Sequence, residues 1–301
     1  MNTEQLIEFI QNDPQFEGRI LSIKKREGSP AQFADFPPAL DKELVRGVQS
    51  LGIENLYTHQ ARAIEAALDG DNTVVVTPTA SGKSLTYILP VLQRKRKNPL
   101  SRSLFLFPTK ALSQDQMNSV QSLSDGLNAG MKIFTFDGDT PATVRTRVRE
   151  AGDIVVTNPD MLHSGIMPHH TSWIKLFENL DFIVIDELHT YRGVFGSHLA
   201  NVLRRLFRIC AFYGSSPQIL CASATIGNPR QLAEKLSGRP FTLIDESGSP
   251  TGDKYFAFYN PPLVQKELGV RASSLKEAAR LGAALLSNGI RTIFFCRSRV
   301  R

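Results

Sequence analysis

Thr77-Pro78-Thr79-Ala80-Ser81-Gly82-Lys83-Ser84 is the stretch that decides how this chain is read. It follows the apolar run Val74-Val75-Val76 and precedes residues with helical spacing. A strand, a small-residue loop and a helix in that order point consecutive backbone N–H groups into one concavity, at a helix end that favours anions. Gly82 permits close backbone approach, Lys83 brings a point charge to phosphate, and Ser84 brings a hydroxyl to Mg²⁺. Thr79, Ala80 and Ser81 complete the candidate phosphate cradle. The strict form of such a loop has glycine six positions before the lysine, where this chain has Thr77. A chance Gly-Lys-Ser turn is the bland alternative; the strand before it and the helix after it argue against that.

Working outward, Phe182-Ile183-Val184-Ile185 is an apolar strand candidate that runs into Asp186 and Glu187. Ligands in open α/β sheets bind at the carboxyl ends of strands. Asp186 is therefore expected to hold Mg²⁺, directly or through water, and Glu187 to orient and deprotonate an attacking water. Lys83, Asp186 and Glu187 form the expected catalytic set, with ATP and Mg²⁺ as the implied ligands. A solvent-exposed acidic turn is the alternative, weakened by both halves occurring in the expected order. Gln60, in Tyr57-Thr58-His59-Gln60, can donate to and accept from an adenine edge. Without the other motifs it would read as an ordinary surface glutamine.

The bulk properties set bounds. The 301 residues carry a net charge of +6 and are 42% hydrophobic, enough for a sizeable core in one domain or two. No apolar run approaches the roughly 20 residues that span a bilayer, so no membrane partner is expected. The polar start Met1-Asn2-Thr3-Glu4-Gln5 does not read as a secretory signal. Cys210, Cys221 and Cys296 are far apart and read as buried thiols of a reducing compartment, which favours the cytoplasm. A basic balance suits a nucleic-acid partner without establishing one. Arg94-Lys95-Arg96-Lys97 reads as a solvated helix end. Arg145 and Arg149 share a helix face and Arg147 does not.

Residues 3–11 are predicted as a short amphipathic helix and 24–38 as a connector, with Asp41 as the N-cap of the next helix. From 72 onward, strand candidates at 73–76, 103–107, 132–136, 153–156, 182–185 and 218–222 alternate with helical stretches. That alternation predicts an α/β domain with a doubly wound parallel sheet. The longest helix is expected over 194–212, with its apolar stripe in the core. The expected division is residues 1–40 as helix and connector, 41–238 as the ATP-binding domain, 239–253 as a linker, and 254–301 as the truncated start of a second domain. In that last part a strand (254–259), a helix (272–287) and a strand (291–296) are predicted.

The order and form of these segments resemble superfamily 2 helicases of the DEAD/DEAH-box type. Gln60 matches the family's adenine-reading glutamine, and Thr77–Ser84 its motif I, although most members carry Gly where Ala80 stands. Pro108-Thr109-Lys110-Ala111-Leu112 with Gln114 looks like its motif Ia, and Thr157-Asn158-Pro159-Asp160-Met161-Leu162 like the next nucleic-acid-contacting motif. Asp186-Glu187-Leu188-His189 looks like motif II in its DExH form, Ser223-Ala224-Thr225 like motif III, and Thr292–Arg299 like motif IV. Asp137-Gly138-Asp139-Thr140, Leu188–His198 and Asn260-Pro261-Pro262 are similar to the narrower group of YprA/MrfA-like DNA-repair helicases. The resemblance covers about residues 35–301.

The resemblance implies a RecA-like first domain and a second one begun from 254. It implies that Thr109, Lys110, Thr157 and Asn158 touch the backbone of a single or partly duplex nucleic-acid strand, DNA by the narrower likeness, with 3′–5′ movement. It implies that His189, Ser223 and Thr225 couple nucleotide state to strand contact. An arginine finger, worth roughly 10³–10⁵ in rate, would come from the missing part of the second RecA-like domain, in cis or in trans. Two further readings stay open: a nucleotide-gated nucleic-acid-binding module without motor activity, and a small-molecule kinase, against which the Asp186-Glu187 pair and Gln60 argue.

Overall fold

The structure, a computed structural model, describes residues 3–127 and 129–295. The described residues fall into two compact units, one made of the stretches 1–29 and 251–301, the other of 30–250.

The larger unit is built on seven strands: β1 (Thr73–Val76), β2 (Arg102–Leu106), β3 (Ile133–Thr135), β4 (Ile154–Thr157), β5 (Leu180–Ile185), β6 (Gln218–Ser223) and β7 (Thr242–Ile244). They lie in the order β7-β1-β6-β5-β2-β4-β3, and every neighbouring pair is parallel. The parallel arrangement explains the near-continuous apolar runs, because such strands are covered on both faces. Alternate side chains then serve opposite cores. Ile183 and Ile185 join a cluster with Trp173, Leu199, Leu203 and Leu206, whereas Phe182 and Val184 join one with Ile88, Val91, Leu92 and Val120.

Helices α1 (Thr58–Leu68), α2 (Ser84–Lys97) and α3 (Lys110–Gly126) cover the second face. Helices α4 (Ala142–Ala151), α5 (Gly193–Phe212) and α6 (Pro229–Ser237) cover the first. The doubly wound reading thus describes this unit. Asp41 caps the helix Lys42–Ser50 as expected: its Oδ1 accepts from Glu43 N at 2.9 Å and Leu44 N at 3.2 Å. In α5 the expected stripe residues Leu199, Val202 and Leu206 are buried, and Phe195 and Ile209 pack partly against them.

One departure lies at 239–253. Rather than a linker throughout, this stretch contributes β7, which extends the sheet beside β1 and buries Phe241 and Ile244. Three residues are too few for a periodic signal to register. Arg145, Arg147 and Arg149 also take structural places, each over an aromatic ring: Phe136, Phe134 and Trp173 respectively.

In the smaller unit, the strand Ile20–Arg26 pairs antiparallel with Lys254–Tyr259. Residues 24–26 therefore lie in a strand and not in a connector; the partner that makes them one is far away in sequence. Helices Thr3–Asn12 and Ser274–Ser287 occur close to the expected spans. Glu277 of the second accepts from Arg19 Nη1 at 2.8 Å and from Tyr259 Oη at 2.5 Å. Residues 291–295 have no regular structure, so the strand expected at 291–296 does not form over them; Cys296 and the rest of the Thr292–Arg299 motif lie outside the described residues. No helix among the described residues is long and apolar enough to cross a membrane.

Candidate nucleotide site

The strand order places β6 between β1 and β5. The loop leaving β1, the carboxylates leaving β5 and the Ser223-Ala224-Thr225 segment leaving β6 therefore gather at one edge of the sheet, as strand-order reversal requires in such folds.

The loop is curled by two residues in the left-handed region, Ala80 at φ +62° and Gly82 at φ +75°. The family's usual glycine at the Ala80 position suits that backbone. A Cβ at Gly82 would stand 2.5 Å from Gln60 Nε2, so a larger residue there would have to push the Gln60 amide aside.

Helix α1 holds the loop through two adjacent side chains. Gln60 Nε2 donates to Gly82 O at 2.9 Å, and His59 Nε2 stands 3.0 Å from Ser81 O. Gln60 Oε1 meanwhile accepts from Tyr57 N at 2.9 Å, closing the N-terminal turn of α1. One donor and one acceptor lobe of the Gln60 amide make no bond among the described residues, although the side chain is buried. Inside the loop, the Thr77 and Ser81 hydroxyls meet at 2.6 Å. Lys83 Nζ folds back to donate to Thr77 O at 3.0 Å and Pro78 O at 2.8 Å. Burial holds the Lys83 ammonium below the usual lysine range, while the charges of Asp186 and Glu187 pull it up.

Opposite the loop, the buried Asp186 carboxylate accepts on both oxygens. Tyr87 Oη donates to Oδ2 at 3.0 Å, and Glu187 N donates to Oδ1 at 2.7 Å. Burial pushes Asp186 up to about 6, and Glu187's charge adds to it; the Glu187 N–H, the Tyr87 hydroxyl and Lys83 oppose. Tyr87 lies one turn after Ser84 on α2. Glu187 itself is left-handed at φ +52°. His189 Nδ1 lies 3.2 Å from Glu187 Oε2 and 3.3 Å from Ala224 N. A single nitrogen donates to the first or accepts from the second, so the imidazole links the β5 and β6 ends in two mutually exclusive ways. Ser223 Oγ donates to Ala224 O at 2.8 Å and is buried, while Thr225 is exposed.

The candidate strand-contacting residues lie on the same edge, after the neighbouring strands β2 and β4. Thr109 and Lys110 are exposed, and Lys110 pairs with Asp139 at 2.7 Å. Thr157 and Asn158 are committed inward: Thr157 Oγ1 is buried and donates to Phe136 O at 2.6 Å, and Asn158 Oδ1 accepts from Met161 N at 2.8 Å. The sequence reading assigned no role to His59 or Tyr87. His59 adjoins the motif glutamine, and Tyr87 hides in the apolar run from Leu85 to Leu92, where an aromatic reads as core.

The chain also resembles known proteins. Residues 57–232 match the DEAD/DEAH box helicase family. The chain is 50% identical over 301 residues to the uncharacterized ATP-dependent helicase YprA of Bacillus subtilis, covering all of this chain and 40% of that one. It is 36% identical over 300 residues to the ATP-dependent helicase HRQ1 of Saccharomyces cerevisiae, covering 98% of this chain and 28% of that one. The crystal structure of the DUF1998 helicase MrfA bound to DNA and AMPPNP superposes with a TM-score of 0.93 at 49% identity, over 100% of this chain and 41% of MrfA. The chain thus spans less than half the length of these relatives. By site, fold and likeness together, it belongs to the DEAD/DEAH box helicase family, whose members are ATP-dependent helicases.

Proposed function

We propose that this chain is the N-terminal, ATP-binding portion of a DNA helicase that moves 3′–5′ on a single strand. The observation that carries the reading is the bond from Tyr87 to Asp186, which joins the helix of the phosphate loop to the acidic end of β5. In this reading Gln60 selects adenine and the N–H groups of 79–84 cradle the phosphates. Lys83 leaves the carbonyls of Thr77 and Pro78 for the β- and γ-phosphates. Glu187 holds the attacking water and takes its proton.

The residues fit Mg²⁺. Asp186, held by Tyr87 one turn after Ser84 on α2, and Ser84 itself offer the hard oxygen donors that this ion takes. When bound, it would neutralise charge on the phosphates. MrfA was crystallised bound to DNA, and that complex supports DNA as the strand. Thr109 and Lys110 would touch its backbone from the exposed ends of β2 and α3, with Thr157 and Asn158 positioning the neighbouring segment. His189, Ser223 and Thr225 would pass nucleotide state to that surface.

Residues from 254 would open a second RecA-like domain. The reading carries a cytoplasmic location, where reduced thiols such as the buried Cys210 and Cys221 persist. The 301 residues by themselves span 40% of YprA. That favours a second reading for the isolated chain, a nucleotide-gated strand binder whose catalytic wall is completed by the remaining length.

Competition binding of labelled single-stranded DNA tests the proposal, run with and without a non-hydrolysable ATP analogue and Mg²⁺. DNA affinity that changes with nucleotide, and no longer changes in Lys83→Ala, is the expected result. A preference for RNA would overturn the substrate, and indifference to nucleotide would overturn the coupling.

A further inference from the structure

We propose that His59 is a positioning residue that ties the phosphate loop to Gly248, two residues before Pro250, where the chain leaves the larger unit. The proposal rests on the nucleotide-site reading and extends it.

Hydrogen-bond logic fixes the ring. Gly248 N lies 3.2 Å from His59 Nδ1 and can only donate, so Nδ1 carries the lone pair. The proton is then on Nε2, 3.0 Å from Ser81 O, which can only accept. Both bonds hold together only in the neutral Nε2–H tautomer. His59 is fully buried, so water does not compete for either nitrogen. Tyr57 stacks on the imidazole at 5.9 Å and 12°, and Phe33 stacks on Tyr57 at 5.4 Å and 21°, which holds the ring plane.

The far end of the relay is equally fixed. Gly248 O accepts from Gln32 N at 2.8 Å, and Gln32 O accepts from Thr58 N at 3.0 Å at the start of α1. A Cβ at 248 would stand 2.3 Å from Thr58 Oγ1 and 2.7 Å from Gln32 O. Gly248 is therefore seated directly on the turn that bears His59. Gln60 takes the next loop carbonyl, Gly82 O, but its other bond returns to Tyr57 in the same turn. His59 alone of the two reaches the exit segment. A shift of the Ser81 carbonyl when phosphate enters the loop thus has a buried, two-bond route to Ser247–Ser249.

Hydrogen–deuterium exchange of the 301-residue chain, with and without an ATP analogue and Mg²⁺, tests this. In the wild type, peptides over 77–84 and 245–250 should both change protection on nucleotide binding. His59→Gln keeps an amide donor for Ser81 O and loses the acceptor for Gly248. Its nucleotide affinity should stay within about threefold of wild type, while the 245–250 response is lost. His59→Ala loses both bonds, and affinity should fall about 3- to 10-fold, the scale of one net hydrogen bond. If His59→Gln does not fold, His59→Asn, which keeps the Gly248 acceptor and drops the Ser81 donor, should show the same loss of response with weakened binding. A 245–250 response retained in these variants, or absent in nucleotide-bound wild type, would overturn the relay. No protection change at 77–84 in the wild type would instead refute the nucleotide site on which it stands.

Discussion

Tyr87 Oη donates to Asp186 Oδ2 at 3.0 Å with both side chains buried, so the first helix after the phosphate loop holds the carboxylate that ends β5. Phe105 of β2 meets the Tyr87 ring edge-on at 5.6 Å and fixes its position. Two segments distant in sequence are thereby locked into one constellation beside the phosphate-loop sequence.

Tyr87→Phe removes that donor and leaves a buried carboxylate oxygen short of one bond. The cost of such a group is about 1–3 kcal/mol. Urea denaturation at pH 8 should show a loss of this order, shrinking at pH 5, where Asp186 is protonated and no longer a charged acceptor short of a donor. The Mg²⁺ concentration that half-saturates nucleotide binding should rise several-fold. An unchanged Mg²⁺ dependence would separate Tyr87 from the site.

Asp186→Asn should stabilise the metal-free chain at neutral pH. Burial raises the folded-state carboxyl from 3.8 to about 6, and each pH unit of that difference is worth about 1.4 kcal/mol. The folded state therefore binds the proton more tightly than the unfolded state. That stability is fully present below about pH 4 and is lost as pH rises through about 6. Measured in EDTA, the variant should exceed wild type by about 2–3 kcal/mol at pH 8 and by little at pH 4. A difference independent of pH would contradict the burial argument.

Ala80→Gly relieves a left-handed alanine, a conformation that costs about 1–2 kcal/mol for a residue with a Cβ. Glycine's greater freedom in the unfolded chain offsets roughly 0.5–1 kcal/mol of this. Thermal denaturation should show the variant as stable as wild type or up to about 1.5 kcal/mol more stable. A clear loss would mean that the loop does not adopt φ +62°.

These particulars show what the sequence could and could not carry. The buried parallel strands announce themselves because covered strands are apolar throughout, and the loop and acidic pair because phosphate and metal chemistry restrict the residues allowed. Strand β7 was illegible at three residues, and Ile20–Arg26 because its pairing with Lys254–Tyr259 is a long-range fact with no local trace. His59 and Tyr87 were hidden for a different reason. Each lies among residues that pack, and only the atoms facing them reveal a polar task. Thr157 was legible as a position but not as an orientation, since the direction of a hydroxyl at a strand end depends on the neighbouring carbonyl, here Phe136 O.

The most direct test is equilibrium binding of ATP, with Mg²⁺ titrated, to the purified 301-residue chain and to Lys83→Ala. Lys83 bonds only to loop carbonyls among the described hydrogen bonds, so its removal should leave the fold intact by circular dichroism. Mg²⁺-dependent binding in the wild type, weakened at least tenfold in the variant, is the expected result. Equal binding by both proteins, or no binding by a folded wild type, would contradict the assignment of this loop and carboxylate pair as the nucleotide site.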